Sequence, residues 1–137
     1  MRTDPLSPDP ELREALGQAG TLFLTDFLEV ETRRHPDNLD ALAELGQLYT
    51  RLGRWENGLE VDRRLARLVP HNPTVHYNLA CSLALLGRQD DALEALERSV
   101  ELGYDDFEFM LGDPDLATLR DETRFLGLVR LLQVDPT

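Results

Sequence analysis

Two consecutive stretches of equal length decide the fold of this chain. They are Leu39–Asn72, LDALAELGQLYTRLGRWENGLEVDRRLARLVPHN, and Pro73–Asp106, PTVHYNLACSLALLGRQDDALEALERSVELGYDD. Laid over each other without a gap, these two 34-residue copies agree at eight positions, among them a shared Leu-Gly-Arg segment. Each copy predicts a helix, a turn at the Gly-Arg pair and a second helix, so the chain contains a helix hairpin that is repeated once.

Local signals for helix starts and turns agree with this division. Asn72 followed by Pro73 supplies a side-chain acceptor for free helix N–H groups and a first-turn residue that needs no N–H. The segment 35–38, His-Pro-Asp-Asn, has the same role in the preceding period. Gly53 and Gly87 stand where a tight turn between helices favours a residue that accepts positive φ. Within the first helix, apolar residues recur at intervals of three and four, namely Leu42, Leu45, Leu48, Tyr49 and Leu52.

The segment before the repeats predicts a degenerate capping hairpin over residues 11–38. We expect one helix over Glu11–Gln18 and a second over Thr21–Arg34, separated at Gly17 and Gly20. The buried stripe of the second helix is predicted to be Leu24, Phe27 and Leu28. Residues 1–10 are expected to form a flexible, Pro-rich arm.

The segment after the repeats, residues 107–137, predicts a helical lid over the end of the stack. Asp113 can cap a helix that Pro114 starts. Leu116 and Leu119 can then dock on the second repeat, and Asp121 can cap a last helix. The apolar residues of that last helix are Phe125, Leu128 and Leu132.

The repeats resemble the tetratricopeptide repeat family in period and in the positions of small and apolar residues. The residues that carry the resemblance are Leu45, Gly46, Tyr49, Gly53, Trp55, Gly58, Leu59 and Pro70 in the first copy, and Leu79, Ala80, Leu83, Gly87, Ala92, Leu93 and Leu96 in the second. The small residues let the two helices of a hairpin approach closely. The ending Asp-Pro-Asp-Leu-x-x-Leu-Arg-x-x-x-x-Phe, residues 113–125, is similar to an ending of bacterial proteins of that family. The second copy departs from the pattern where Gly103-Tyr104 replaces the usual proline.

The resemblance implies an all-α, right-handed solenoid that occupies residues 11–137 as a single domain. In this division, residues 39–72 and 73–106 are the two full repeats, and the flanking helices cover their ends. About three units are usually needed to bury each repeat's apolar face, which the flanks supply here.

Composition excludes several classes of partner. The chain has 137 residues with 14 Lys+Arg and 26 Asp+Glu, a formal net charge of −12. Such a charge opposes binding to nucleic acid or to an anionic membrane. The only cysteine, Cys81, excludes an internal disulfide framework and favours a reducing compartment, so we expect a cytoplasmic protein.

We find no catalytic or metal-binding motif and expect neither an enzyme nor a cofactor. His76 and Cys81 are five residues apart, which places them on different faces of one helix. Cys81 is expected to be a buried, inert thiol. The paired acids at 90–91 and 105–106 and the acid at 113 are interpreted as residues at helix starts, where negative charge is favourable.

The most informative stretch for function is Pro73–Leu86, a helical segment without one charged residue. A helix of this kind is contacted on nearly all sides. The resemblance implies that the first helix of each repeat lines a concave groove. The predicted groove residues are Ala43, Gln47, Arg51, Tyr77, Asn78, Cys81 and Leu85. Of the residues with which some tetratricopeptide repeats clamp the carboxylate of heat-shock chaperones, only Asn78 is matched.

Two explanations of the uncharged helix stay open at this point. Either the groove is apolar and receives a ligand, or it is already filled by the chain's own N-terminal arm or terminal helix. We expect a non-catalytic protein-interaction module whose partner segment packs on Tyr77 and Leu85 and offers a carboxylate or carbonyl to Arg51. The alternatives are a small chaperone for a secreted or aggregation-prone client and a structural subunit that forms homo-oligomers.

Overall fold

The computed structural model describes residues 10–134, except for the side chain of Arg13, and this range is all-helical. Its α-helices are α1 (Pro10–Arg34), α2 (Leu39–Arg51), α3 (Trp55–Leu68), α4 (Pro73–Leu85), α5 (Gln89–Glu101), α6 (Phe107–Gly112) and α7 (Thr123–Gln133). A 3₁₀ helix, Pro114–Leu119, lies between α6 and α7. From α1 to α5, each helix packs on the next one along the chain. This stacking of neighbours is a helical solenoid, as predicted. The predicted arm lies outside the described residues except for Pro10, which begins α1.

The two predicted hairpins, α2–α3 and α4–α5, have matching turns. Gly53 has a φ of 73° and Gly87 a φ of 77°, a left-handed conformation that glycine adopts without a Cβ penalty. After each glycine, the next backbone N–H donates back into the preceding helix: Arg54 N to Tyr49 O at 2.8 Å and Arg88 N to Leu83 O at 2.9 Å. The repeat found in the sequence is therefore a repeat of structure.

The predicted asparagine caps are confirmed at both repeats. Oδ1 of Asn38 accepts a hydrogen bond from Ala41 N at 3.1 Å. Oδ1 of Asn72 accepts from Thr74 N at 2.9 Å, and Pro73 occupies the first turn of α4. These contacts satisfy backbone donors that have no partner inside the helix.

Small residues set the distance between the helices of each hairpin. A Cβ added to Gly46 would lie 3.4 Å from both Oδ1 of Asp62 and Cγ1 of Val61 on α3. Ala80 and Ala92, in the second hairpin, are completely buried. A methyl group at Gly46 would just fit, whereas side chains larger than alanine at these positions would push the paired helices apart, in agreement with the mechanical reason given for the small residues.

The first helix corrects one prediction, because α1 is a single helix of 25 residues and not a hairpin. Gly17 and Gly20 do not break it, since neither has positive φ and each glycine within a helix costs only about 1 kcal/mol. The predicted stripe is also wrong in part. Leu28 is buried, but Leu24 is 37% exposed and Phe27 is 59% exposed.

A different face of α1 packs on α2. Thr25 and Thr32 are buried there beside Leu28. Both threonine hydroxyls donate to carbonyls one turn back, Thr25 to Thr21 O at 2.7 Å and Thr32 to Leu28 O at 2.9 Å. Because each hydroxyl is satisfied within α1, it needs no hydrogen-bond partner on α2. The threonines can therefore be buried at little cost in free energy.

The last part of the chain, which we call the C-terminal lid (Phe107–Gln133), covers the end of the second repeat. Asp106 caps α6 and Asp113 caps the 3₁₀ helix, where Asp113 Oδ1 accepts from Asp115 N at 3.0 Å. The 3₁₀ helix packs on α4, and α7 packs on α5. The predicted docking is confirmed by four lid side chains that are completely buried, namely Met110, Leu116, Leu119 and Phe125.

The predicted cap of the last helix is wrong. The residue before α7 is Glu122, not Asp121, and its side chain makes no capping bond. Glu122 N donates to Leu119 O at 3.0 Å, so a tight turn carries the chain one residue further before α7 begins.

The apolar core forms two clusters. One joins Leu28 of α1 to side chains of α2 and α3. The other joins Leu59 of α3 to α4, α5 and the lid. Among residues 10–134, no helix is both long enough and apolar enough to cross a bilayer.

Candidate functional site

The uncharged helix α4 is buried along most of its length. It packs against α3, α5 and the 3₁₀ helix of the lid. Its buried residues are Tyr77, Ala80, Cys81, Ser82, Leu83 and Ala84. The inference that this helix is contacted on nearly all sides is confirmed, and the lid explains why the side facing away from α3 and α5 carries no charge.

Tyr77 joins the second repeat to the lid. Its hydroxyl donates to Oδ2 of Asp113 at 2.8 Å, and its ring stacks on the ring of Tyr104 with centroids 4.4 Å apart. Phe109 packs at a tilt, with its ring centroid 6.0 Å from that of Tyr77. Burial raises the pKa of Tyr77, and its hydrogen bond to Asp113 raises it further, so the phenol remains a donor.

This contact corrects the expectation that Tyr77 is an open anchor for a partner. Only 3% of Tyr77 is exposed, because the lid already covers it. Of the two explanations left open above, self-filling therefore holds for this part of the groove, and the occupant is the C-terminal segment.

Cys81 lies one turn further along α4 and contacts the same carboxylate. Its Sγ lies 3.7 Å from Oδ2 of Asp113, and ligand atoms of Cys81, Asp113 and Asp115 all lie within 4.8 Å of one another. Burial, followed by the charge of Asp113, raises the pKa of the Cys81 thiol. A thiol held in its protonated form is a hydrogen-bond donor and a poor nucleophile.

Hydrogen bonds hold the side chains of this cluster in place. Asp113 accepts hydrogen bonds from Tyr77, Cys81 and the backbone N–H of Asp115. His76 does not reach it, since His76 Nε2 lies 2.7 Å from the carbonyl of Pro70. The cluster is therefore a hydrogen-bonded junction between α4 and the lid.

A second buried acid, Asp62, lies between the two repeats. Ser82 Oγ on α4 donates to Oδ2 of Asp62 on α3 at 2.5 Å. Burial raises the pKa of Asp62 to about 6, although the hydrogen bond from Ser82 lowers it. Near neutral pH this carboxyl group is therefore mostly ionised, and it contributes negative charge beneath the groove.

These elements enclose a concave cavity of about 310 Å³ between α2, α4 and the lid. Six of the seven predicted groove residues line it, and these are Ala43, Gln47, Arg51, Tyr77, Asn78 and Cys81. Leu85 does not line it; this residue is half-buried at the end of α4. Eight lining residues were not among the predicted groove residues, and these are Gly46, Thr50, Asp62, Leu65, Ser82, Phe109, Asp113 and Asp115.

The open side of the groove carries polar side chains beside apolar ones, so the surface is mixed and not uniformly apolar as expected. Ala43, Gln47 and Arg51 are exposed on α2, and Asn78 is half-buried on α4. Within the described residues, the side chain of Arg51 forms no hydrogen bond and no ion pair. Asp115 faces the cavity from the lid, where burial and then the charge of Asp113 raise the pKa of its carboxyl group.

Some of the missed residues had a signal in the sequence. Asp62 lies three residues after Leu59 and three before Leu65, both buried, so an acid stands on the apolar face of α3. The contribution of Asp113 and Asp115 depends on the lid folding back over α4. No local sequence pattern predicts how the lid folds back. The absence of charged residues on α4 indicates only indirectly that another segment covers this helix.

The fold and the groove define a class of protein: a helical-repeat protein with a concave groove and a C-terminal lid. The chain matches the family described as "Bacterial transcriptional activator domain" over residues 10–122, from the first residue of α1 to the turn before α7. Because this match covers most of the chain, the chain belongs to that family. The family is not named for the tetratricopeptide repeat, so the resemblance holds at the level of a repeated helix hairpin.

The chain is also similar to a chloroplastic protein of Arabidopsis thaliana. The two are 33% identical over 91 residues, which is 62% of this chain and 26% of that protein. The chain thus spans about a quarter of the length of this curated relative.

Proposed function

We propose that this chain is a non-catalytic interaction module that binds a segment of another protein in the groove between α2, α4 and the lid. The observation that carries the proposal is the cavity of about 310 Å³, whose α2 wall includes the exposed side chains of Ala43, Gln47 and Arg51. A concave site between helices of a rigid stack is a usual place for a ligand. The hairpins serve here as variant tetratricopeptide repeats that present this wall.

The charges around the groove favour a particular chemistry in the partner. Asp62, Asp113 and Asp115 contribute negative charge to the floor and the lid side. Arg51 is an exposed cation on the α2 side. A segment that offers a basic side chain toward Asp115 and a carboxylate or backbone carbonyl toward Arg51 would complement both ends.

The family description suggests the setting for this binding. We infer that the partner belongs to a protein assembly that regulates transcription, and that the chain contacts protein there and not the nucleic acid. The formal charge of −12 supports this inference, because binding to phosphate requires a positive surface. Tyr77 and Cys81 both bond to Asp113, and Asp62 bonds to Ser82, which favours a structural role for these groups over catalysis.

Selected peptides provide the test. Random peptides displayed on phage would be selected on the immobilised chain, and their affinities measured by fluorescence anisotropy. We expect Gln47→Trp, Arg51→Glu and Asp115→Asn each to weaken binding by about tenfold, which corresponds to about 1.4 kcal/mol. Matched controls are Arg63→Glu and Asp121→Asn, which change exposed charges outside the groove lining.

The outcome for the controls decides the location of the site. Peptides that bind all three groove variants as tightly as the unchanged chain would move the binding surface elsewhere. Equal losses in the groove variants and in the controls would indicate a general electrostatic effect and would likewise contradict the proposed groove.

A further inference from the structure

The outward face of α1 carries a line of apolar residues that nothing within residues 10–134 covers. Its large members are Leu16, 60% exposed, Phe23, 73% exposed, Phe27, 59% exposed, and Val30, 39% exposed. Ala19, also exposed, lies between the first two. We call these five residues the α1 stripe.

The stripe lies opposite the face on which α1 is packed. At 100° per residue, its five members fall within an arc of about 80°. The buried residues Thr25, Leu28 and Thr32 are centred roughly 180° away. Thus α1 turns its threonines toward α2 and its phenylalanines toward solvent, the reverse of what a surface helix normally does.

The exposed area is large for a protein of this size. The five residues together leave roughly 500 Å² accessible, in the range of the largest apolar patch on a typical monomer. Two such stripes packed together would bury about 1,000 Å², the lower limit for a specific interface.

We propose that the α1 stripe is a dimer interface, and that it packs antiparallel against the α1 stripe of a second copy of this chain. Across a two-fold axis at Phe23, Leu16 lies opposite Val30 of the second copy, and the small residue Ala19 lies opposite its Phe27. The two Phe23 rings meet at the axis. On either side of this central aromatic pair, Ala19 thus leaves room for the large Phe27 ring of the other copy.

Charge at the ends of α1 selects the antiparallel arrangement. The first turn carries Glu11, and the last turn carries Arg33 and Arg34. In an antiparallel pair, the acidic start of each helix lies beside the basic end of the other, and the two helix dipoles oppose each other favourably. A parallel pair would place the arginines of both copies side by side.

The stripe is separate from the proposed groove. None of its five residues lines the cavity between α2, α4 and the lid. Variants of the stripe therefore test the dimer while leaving the groove intact, and groove variants do the reverse.

Sedimentation velocity over a range of protein concentrations tests the proposal. We expect a concentration-dependent dimer that becomes a monomer in Phe23→Glu, because this change places two like charges at the axis. The matched control is Leu131→Glu, on α7, where Leu131 is 62% exposed. This control should remain dimeric, and circular dichroism should show that both variants retain the helix content of the unchanged chain.

Disulfide trapping tests the direction of pairing. In a Cys81→Ala background, a mixture of Leu16→Cys and Val30→Cys chains should give a cross-linked heterodimer on mild oxidation, and neither variant alone should cross-link. Homodimers from the single variants would overturn the antiparallel arrangement.

If the unchanged chain is a monomer at every concentration, a second copy does not cover the α1 stripe and the proposal is wrong. If residues 1–9 then became more sensitive to protease in Phe23→Glu, the stripe would belong to the chain's own first residues. If they did not, it would belong to a different protein. A dimer that survives Phe23→Glu would also overturn the proposal, since its interface would lie elsewhere.

Discussion

The hydroxyl of Tyr77 donates a hydrogen bond to Oδ2 of Asp113, 2.8 Å away and 36 residues further along the chain. Both groups are buried. The same carboxylate group caps the 3₁₀ helix of the lid through Asp115 N. The side chain of Asp113 thus ties the start of the 3₁₀ helix to the middle of α4, and the position of the lid wall of the groove depends on this contact.

Replacing Tyr77 by Phe should destabilise the fold by about 1–3 kcal/mol, because a buried carboxylate loses a donor. Urea unfolding of Tyr77→Phe, Asp113→Asn and the double variant would measure this loss. We expect the two single effects to be non-additive, with a coupling energy of about 1 kcal/mol. Strictly additive effects would show that the bond contributes nothing to holding the lid.

The lid itself should contribute strongly to stability. Leu119 is completely buried against the second repeat, whereas Leu131, on α7, is 62% exposed. We expect Leu119→Ala to cost about 2–5 kcal/mol and Leu131→Ala to change stability by less than about 0.5 kcal/mol. Similar small losses at both positions in thermal unfolding would mean that the lid is not packed as described.

Two glycines should respond to alanine with opposite signs. Gly17 lies within α1, and a Cβ there meets nothing within 4 Å. Gly17→Ala should therefore stabilise the chain by about 0.5–1 kcal/mol, whereas Gly87→Ala, at a φ of 77°, should destabilise it by about 1 kcal/mol or more. Chemical unfolding measures both. A destabilising Gly17→Ala would favour the hairpin over the continuous helix.

Asp62 should make stability depend on pH. Its pKa is about 6 in the folded chain, above the ordinary 3.8, so between these values the folded state holds the proton more tightly than the unfolded state. The contribution of Asp62 to stability therefore falls as pH rises through this window. Relative to the unchanged chain, Asp62→Asn should gain up to about 3 kcal/mol between about pH 4 and pH 7.

The free energy of unfolding in urea, measured at about pH 4 and at about pH 7, checks this prediction. Asp121→Asn, which removes an exposed carboxylate, is the matched control and should show little such gain. An Asp62→Asn curve that runs parallel to that of the unchanged chain at every pH would show that Asp62 titrates as an exposed acid.

The sequence was sufficient for the repeated hairpins, because period, turn glycines and asparagine caps are local and agree with one another. It was insufficient for α1. There the glycines suggested a break, and Leu24 and Phe27 suggested a core face. The helix continues, and its packed face consists of threonines whose hydroxyls bond within the helix. Because threonine is polar, the sequence did not indicate that this face of α1 packs on α2.

The groove was predictable on the α2 side and only partly on the α4 side. Ala43, Gln47 and Arg51 follow from the resemblance to the tetratricopeptide repeat, which implies that the first helix of each repeat lines the groove. Tyr77 and Cys81 also line the cavity, but the lid covers them, and the acids that accompany the lid enter from far along the chain. Long-range placement of this kind depends on tertiary packing and leaves no periodic signal.

The claim that the groove binds a partner segment is tested most directly by the amide chemical shifts of ¹⁵N-labelled protein during titration with a selected peptide. We expect the largest shifts at Gln47, Arg51 and Asn78, with little change at Arg63 on α3 or Glu94 on α5. Shifts concentrated in a second cleft between α4 and α5, lined by His76, Leu83 and Glu94 among others, would contradict the account.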